Sequence, residues 1–262
     1  MFLSLDIAAS GLQAQQTSVN VISNNLANLS TTGYKRQIPE FRDLLYINER
    51  RVGASSSDTG TIIPTGIQLG LGVQTAAIHR DLSQGIPTST TGPLDLAISG
   101  RGFFQITLPD GSTAYTRDGT FQVSPTGEVV TADGNPLTPN ITIPSNALSV
   151  SVNASGVVEA TIPNQVNPST LGQIQLASFI NENGLQAMGG NLLTETQASG
   201  PPVIATPGLD GLGTLQQGFL EASNVNPVSE ITNLITAQRA YEMNTKVITA
   251  SDQMMQNLSQ IG

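Results

Sequence analysis

His79, in Ala77-Ile78-His79-Arg80-Asp81, is the one histidine of a chain that has no cysteine. An imidazole can act as a general base or hold one position of a metal site. One histidine cannot build a multi-histidine centre, however, and no thiolate is present to complete one. No Gly-x-Ser-x-Gly elbow offers a serine nucleophile for it to activate. Carboxylates are the other reactive type, and pairs of them hydrolyse glycosides. Asp110, Asp118, Asp133 and Asp210 each precede a glycine, which is the pattern of tight turns. Finding all four exposed in turns would argue against a carbohydrate-active enzyme. Gly70-Leu71-Gly72 lacks both the third glycine of a dinucleotide fingerprint and a helix after it. There is no tryptophan and only 4% aromatic content to stack a sugar. The sequence therefore reads as not an enzyme, with no catalytic, cofactor-binding or metal-ligating residues and no small-molecule substrate.

Composition bounds the partners. Lys and Arg number 10 against 19 Asp and Glu, a net charge of -9. Phosphate backbones need a basic face, so nucleic acid is not an expected partner. Charged residues are 11% of the 262, against roughly 25% in an ordinary globular protein. Ser, Thr, Asn, Gln and Gly take their place. Such a surface suits a chain packed against many copies of itself, because every surface charge in a polymer recurs and repels its copies. A cell-surface β-protein with neutral polar faces would share this composition. Asp6 is the one charged side chain before Lys35, so the start lacks the basic-then-apolar order of a cleaved secretory signal. Gln13, Gln15, Gln16, Asn20, Asn24 and Asn25 make the uncharged stretch 7–34 too polar to span lipid.

The elements that must carry any assembly are two long helices. Leu5, Leu12, Val19 and Leu26 recur every seven residues, with Ala8, Gln15, Ile22 and Leu29 three residues on. That is a heptad seam. Ser4 is the expected N-cap and Gly33 the expected stop. Near the other end Leu234, Tyr241, Ile248 and Met255 repeat the period beside Ile231, Gln238, Thr245 and Asp252. Asn226 should cap this helix, with Pro227 at its first position and Glu230 in its first turn. Lengths of about 38 Å and 50 Å follow from the rise per residue. The matching periods predict that the two helices pair as a coiled coil, and outer faces poor in charge predict cover by neighbouring subunits.

Between the helices the grammar changes. Residues 103–108, 113–117, 120–123 and 128–131 are short strand-like runs. Pro109-Asp110-Gly111, Asp118-Gly119, Pro125-Thr126-Gly127 and Asp133-Gly134-Asn135 punctuate them as turns of an antiparallel β domain. Residues 150–152, 157–160 and 174–179 continue it. Residues 46–75, with Ser55-Ser56-Ser57 and Pro64, read as an extended excursion. The expected fold class is α+β. Residues 1–36 and 224–262 would form the coiled coil, 37–77 and 205–223 the extended connections, and 78–204 a β-rich outer domain.

Two end segments resemble a known family. Ser10-Gly11-Leu12, Ile22-Ser23-Asn24-Asn25-Leu26-Ala27-Asn28 and Thr31-Thr32-Gly33-Tyr34-Lys35-Arg36 resemble the N-terminal signature of flagellar rod and hook proteins. Leu220-Glu221-Ala222-Ser223-Asn224-Val225-Asn226-Pro227-Val228 and Ile235-Thr236-Ala237-Gln238-Arg239-Ala240-Tyr241-Glu242 resemble the C-terminal one. Gly100-Arg101-Gly102-Phe103-Phe104 and Tyr115-Thr116-Arg117-Asp118-Gly119 extend the likeness to the middle, so it spans nearly the whole chain.

The resemblance implies a structural subunit of the bacterial flagellar basal body that polymerises into a helical tube and transmits torque from motor to hook. Terminal helices would line the tube, the β domain would form its outer layer, and the insertion would reach between neighbours. Length, a single modest β domain and the insertion after Tyr46 look most like distal rod subunits. Proximal rod and hook subunits are the alternatives within the family, and a secreted β-rich adhesin is the alternative outside it. Implied partners are copies of itself, proximal rod subunits, the hook or junction protein and the surrounding ring bushing. The implied location is the basal body across the periplasm, reached by flagellar type III export without a cleaved signal peptide. The expected assembly residues are Leu5, Leu12, Val19, Ile22, Leu26, Ile231, Leu234, Gln238, Tyr241, Ile248 and Met255. The amides of Asn24, Asn25 and Asn28 would bond between subunits or face the channel.

Overall fold

A computed structural model describes residues 2–50, 65–163 and 165–261. It has an N-terminal helix, a C-terminal helix and a β-rich middle, so the fold class is α+β. The chain divides into two compact units. One comprises residues 1–27, 37–79 and 226–262, and the other residues 28–36 and 80–225.

The first unit holds α1 (Phe2–Ala27) and α2 (Pro227–Ile261). Ser4 falls inside the first turn of α1 rather than capping it. The helix ends at Ala27, six residues before Gly33. The α2 start follows the sequence closely: Asn226 Oδ1 accepts from the amides of Val228 (3.0 Å) and Ser229 (3.2 Å), satisfying two donors that a helix start leaves open. No helix among the described residues is long and apolar enough to cross a membrane.

The same unit holds a two-stranded ribbon. β1 (Gln37–Asp43) pairs with β4 (Val73–Arg80), and β2 (Tyr46–Arg50) pairs antiparallel with β3 (Ile67–Gly70), with Ile47 opposite Leu69. Leu44 and Leu71 amides bond to Gly72 and Leu45 carbonyls, carrying one ribbon into the other. Local composition does not reveal these strands, because the Ser and Gly around them outweigh the β-branched residues at 47, 67 and 78. The Ser55-Ser56-Ser57 run and Pro64 lie outside the described residues.

The second unit is built around the strand Phe103–Thr107. Phe103 and Phe104 pair with Ala177 and Leu176 on one side, and Phe104 pairs with Thr116 on the other. Consecutive strand residues point to opposite faces, so this Phe-Phe pair feeds two cores. Phe104 joins Leu96, Ile98, Leu137, Ile141 and Leu176, with Phe121 edge-on at 5.1 Å. Phe103 joins Tyr115, Ala177 and Leu185, with Phe179 edge-on at 6.1 Å. A separate three-stranded sheet runs Ser149–Val152, Val157–Thr161, Ser169–Gln173.

The division differs from the expected one at its borders. Residues 28–36 and 205–223 belong to the β unit, and the ribbon belongs with the helices. The physical reason is that residues 31–36 bury their polar groups against residues 81–85 and 221–224, as described below. Asp110, Asp133 and Asp210 are exposed, while half-buried Asp118 accepts from Thr120 N and Oγ1.

Candidate assembly site

In the first unit α1 lies along α2 in the antiparallel sense. Asn25 Nδ2 donates to Glu230 Oε2 at 3.1 Å. Fourteen residues earlier on α1, a Cβ built on Gly11 would lie 2.9 Å from Asn244 Nδ2, fourteen residues later on α2. Steps of seven between these fixed points set Ser18 level with Ala237, and Ser4 level with Ser251. Ser18, Asn25, Glu230, Ala237 and Ser251 are all buried. The seam is therefore made of small and polar side chains, which let two backbones approach closely. Ala8, Ala14, Val21 and Ile22 supply its buried apolar part.

The predicted residues fall on three sides of that seam. Ile22 and Asn25 are buried. Leu5, Leu12, Val19, Leu26, Asn28, Leu234, Ile248 and Met255 are half-buried along its margins. Asn24, Ile231, Gln238 and Tyr241 are exposed. The heptad period is that of the sequence, but on α2 the row facing α1 is 230-237-244-251 rather than 231-238-245-252. Ranking by hydropathy favoured Ile231 over Ala237, whereas close approach favours the smaller side chain.

Asn25 links three elements of the seam. Its Oδ1 accepts from the Gln37 amide at 2.9 Å and its Nδ2 donates to the Gln37 carbonyl at 2.8 Å, besides the bond to Glu230. One amide thus ties α1, the start of β1 and the first turn of α2. Glu230 sits where the positive end of the α2 dipole favours a carboxylate.

In the second unit, the segments around Lys35 and Glu221 meet. Glu221 Oε1 takes Lys35 Nζ at 2.5 Å and the Gly85 amide at 2.9 Å, and its Oε2 lies 3.3 Å from Arg117 Nη1. Lys35 also donates to Ser83 O, and Arg117 to Gly100 O. The Arg117 guanidinium stands 5.3 Å from the centre of the Phe103 ring. All three ionic side chains are at most 7% exposed. Burial pushes the Lys35 ammonium and the Arg117 guanidinium below their ordinary values, against the pull of Glu221. Asn224 completes the tie: its amide donates to Asp81 and Ser83 carbonyls, and its Oδ1 accepts from the Arg36 amide. Lys35, Arg117, Glu221 and Asn224 lie within the signature segments, where sequence alone assigns them no role. The rarity of lysine, which occurs twice in the chain, was the available signal.

Gly33 is the tightest point of this tie. Its φ is +68°, a Cβ there would lie 2.7 Å from the Arg117 carbonyl carbon, and its amide donates to Glu221 O at 2.7 Å. Gly33→Ala should therefore lower stability by about 2 kcal/mol, strain and clash together. Thermal unfolding beside Gly134→Ala, where nothing lies within 4 Å of a new Cβ, checks the excess cost at Gly33 over plain backbone strain.

His79, the lone candidate base, is in the ribbon with Nδ1 3.1 Å from Glu40 Oε1. No cluster of three or more metal-ligating side chains occurs among the described residues.

Three family models match the chain: "Flagella basal body rod protein" over residues 5–35, "Flagellar hook protein FlgE/F/G D1 domain" over 97–160, and "Flagellar basal body rod FlgEFG protein C-terminal" over 216–261. The chain is 54% identical to the flagellar basal-body rod protein FlgG of Caulobacter vibrioides, covering 98% of each. It belongs to the flagellar basal-body rod family. Further members include the FlgG proteins of Buchnera aphidicola subsp. Schizaphis graminum (49% identical, 100% of each chain) and Agrobacterium fabrum (49%, 96% of each). The two terminal segments matched by the rod models contain both partners of the Asn25–Glu230 bond and of the Lys35–Glu221 pair.

Proposed function

We propose that the chain is a structural subunit of the flagellar rod, of the distal kind, which polymerises into a tube carrying torque from motor to hook. The observation that carries this reading is likeness over the full length of basal-body rod proteins, joined to a helix pair that brings the two chain ends together. In this reading α1 and α2 form a coiled coil lining the tube, the β unit forms the outer layer, and the ribbon reaches toward neighbouring copies. The polymer would stand on proximal rod subunits, carry the hook or junction protein, and turn within a ring bushing. It would occupy the basal body across the periplasm and reach it through the flagellar export apparatus. The role is mechanical rather than catalytic.

A hook-type role is the second reading, favoured by the hook-protein description matched over residues 97–160. Sedimentation and electron microscopy of the full-length chain test both. Straight tubes are expected from the wild type and none from Leu26→Asp or Ile248→Asp, with the β unit still folded in both variants. Curved polymers would favour the hook, and normal tubes from the aspartate variants would remove the helices from assembly.

A further inference from the structure

Between α1 and α2 the first unit has a groove of about 420 Å³ lined by Gln16, Val19, Asn20, Gln238, Tyr241 and Glu242. Val19 and Tyr241 supply its apolar lining, and Gln16, Asn20, Gln238 and Glu242 its polar lining. Elsewhere on α2, Met243, Val247, Ala250 and Met254 follow the spacing i, i+4, i+7, i+11, which places them on one stripe. All four are exposed, Met243 at 59% and Met254 at 51%. At 3.6 residues per turn the stripe lies about 150° around α2 from the groove, so hole and knob face nearly opposite ways.

We propose that the groove receives the Met243–Val247–Ala250–Met254 stripe of a second copy. The proposal rests on the reading of the chain as a self-assembling rod subunit and names the surfaces that join one copy to the next. Chemistry matches, since unbranched methionine adapts to an irregular apolar lining. Charge matches too. Glu242 lines the groove, while Arg239 and Lys246 lie along the edge of the stripe nearer the groove. None of the three makes an ion pair among the described residues, although their i, i+3 and i+4 spacings would allow it. Each copy thus offers a cation beside its knob and a carboxylate beside its hole. Because the two surfaces differ and point apart, filling one groove leaves another open, the condition for a polymer rather than a closed dimer.

The cysteine-free chain makes the test direct. Val19→Cys with Met243→Cys in one full-length chain should give, on oxidation under assembling conditions, a ladder of covalent multimers. Each single-cysteine variant should stop at dimers. Tubes from the double variant without a ladder would overturn the docking and leave the rod function standing. Neither tubes nor ladder from any form, wild type included, would overturn both. Should only the double variant fail to assemble, charge reversal decides. Glu242→Lys should raise the concentration needed for assembly about tenfold, and adding Arg239→Glu with Lys246→Glu should restore it. No effect of Glu242→Lys would refute the docking.

Discussion

Glu221→Ala should destabilise the β unit by about 3–5 kcal/mol, because it leaves two buried cations facing a cavity. Lys35 is 7% exposed and Arg117 5%, so water cannot replace the carboxylate they share. The Gly85 amide would lose its acceptor as well. Lys35→Met should cost less, because Glu221 keeps Arg117 and the Gly85 amide. The double variant Lys35→Met with Glu221→Ala should lose less than the sum of its parts, since the pair is removed together. Chemical denaturation of the three variants measures the order. Equal losses for Glu221→Ala and Lys35→Met would show that Arg117 does not share the carboxylate. The same geometry fixes where the chain can be divided. Cutting after Arg36 would remove Lys35 and leave Glu221 with Arg117 and the Gly85 amide alone, whereas a cut after Ala27 keeps the tie intact.

How far the sequence reveals this arrangement depends on the range of the interaction. Periodicity is local, so both helices, the Asn226 cap and the β character of residues 103–131 were legible. The Phe103-Phe104 pair reads at once as a strand buried on both faces. The facing row of α2 was not legible, because hydropathy rewards Ile231 and Leu234 while the close approach of Gly11 to Asn244 selects small side chains at 237 and 251. Ser18 and Ala237 acquire meaning only when set against each other. The ribbon was hidden for a different reason. Its strands lie on both sides of a Ser- and Gly-rich stretch, and pairing across it depends on closure rather than on local propensity. The Lys35–Glu221 bond spans 186 residues. Nothing near Lys35 announces that its ammonium is buried. The signature segments carried the family likeness without disclosing that their charges meet.

Asn25→Leu should unfold the helix pair and abolish tube formation while leaving the β unit folded. The isosteric apolar replacement removes three hydrogen bonds at once. It leaves the Gln37 amide and carbonyl without the partner they have in the native seam, and takes one from the buried Glu230 carboxylate. At about 1–3 kcal/mol for each buried polar group so treated, a loss near 3–5 kcal/mol is expected. It falls on one unit, because all three bonded residues belong to the unit of helices and ribbon. Hydrogen exchange followed by mass spectrometry separates the outcomes. Peptides within residues 2–27 and 227–261 should lose protection, while those within residues 96–179 keep it. Loss in both regions would mean that the units fold cooperatively. Retained protection with lost assembly would move the role of Asn25 from holding the seam to meeting a neighbour. Unchanged protection and assembly together would show that the small-residue packing of Gly11, Ser18 and Ala237 holds the helices without the amide. The seam would then depend on close approach alone, and Gly11→Leu would become the substitution that separates α1 from α2.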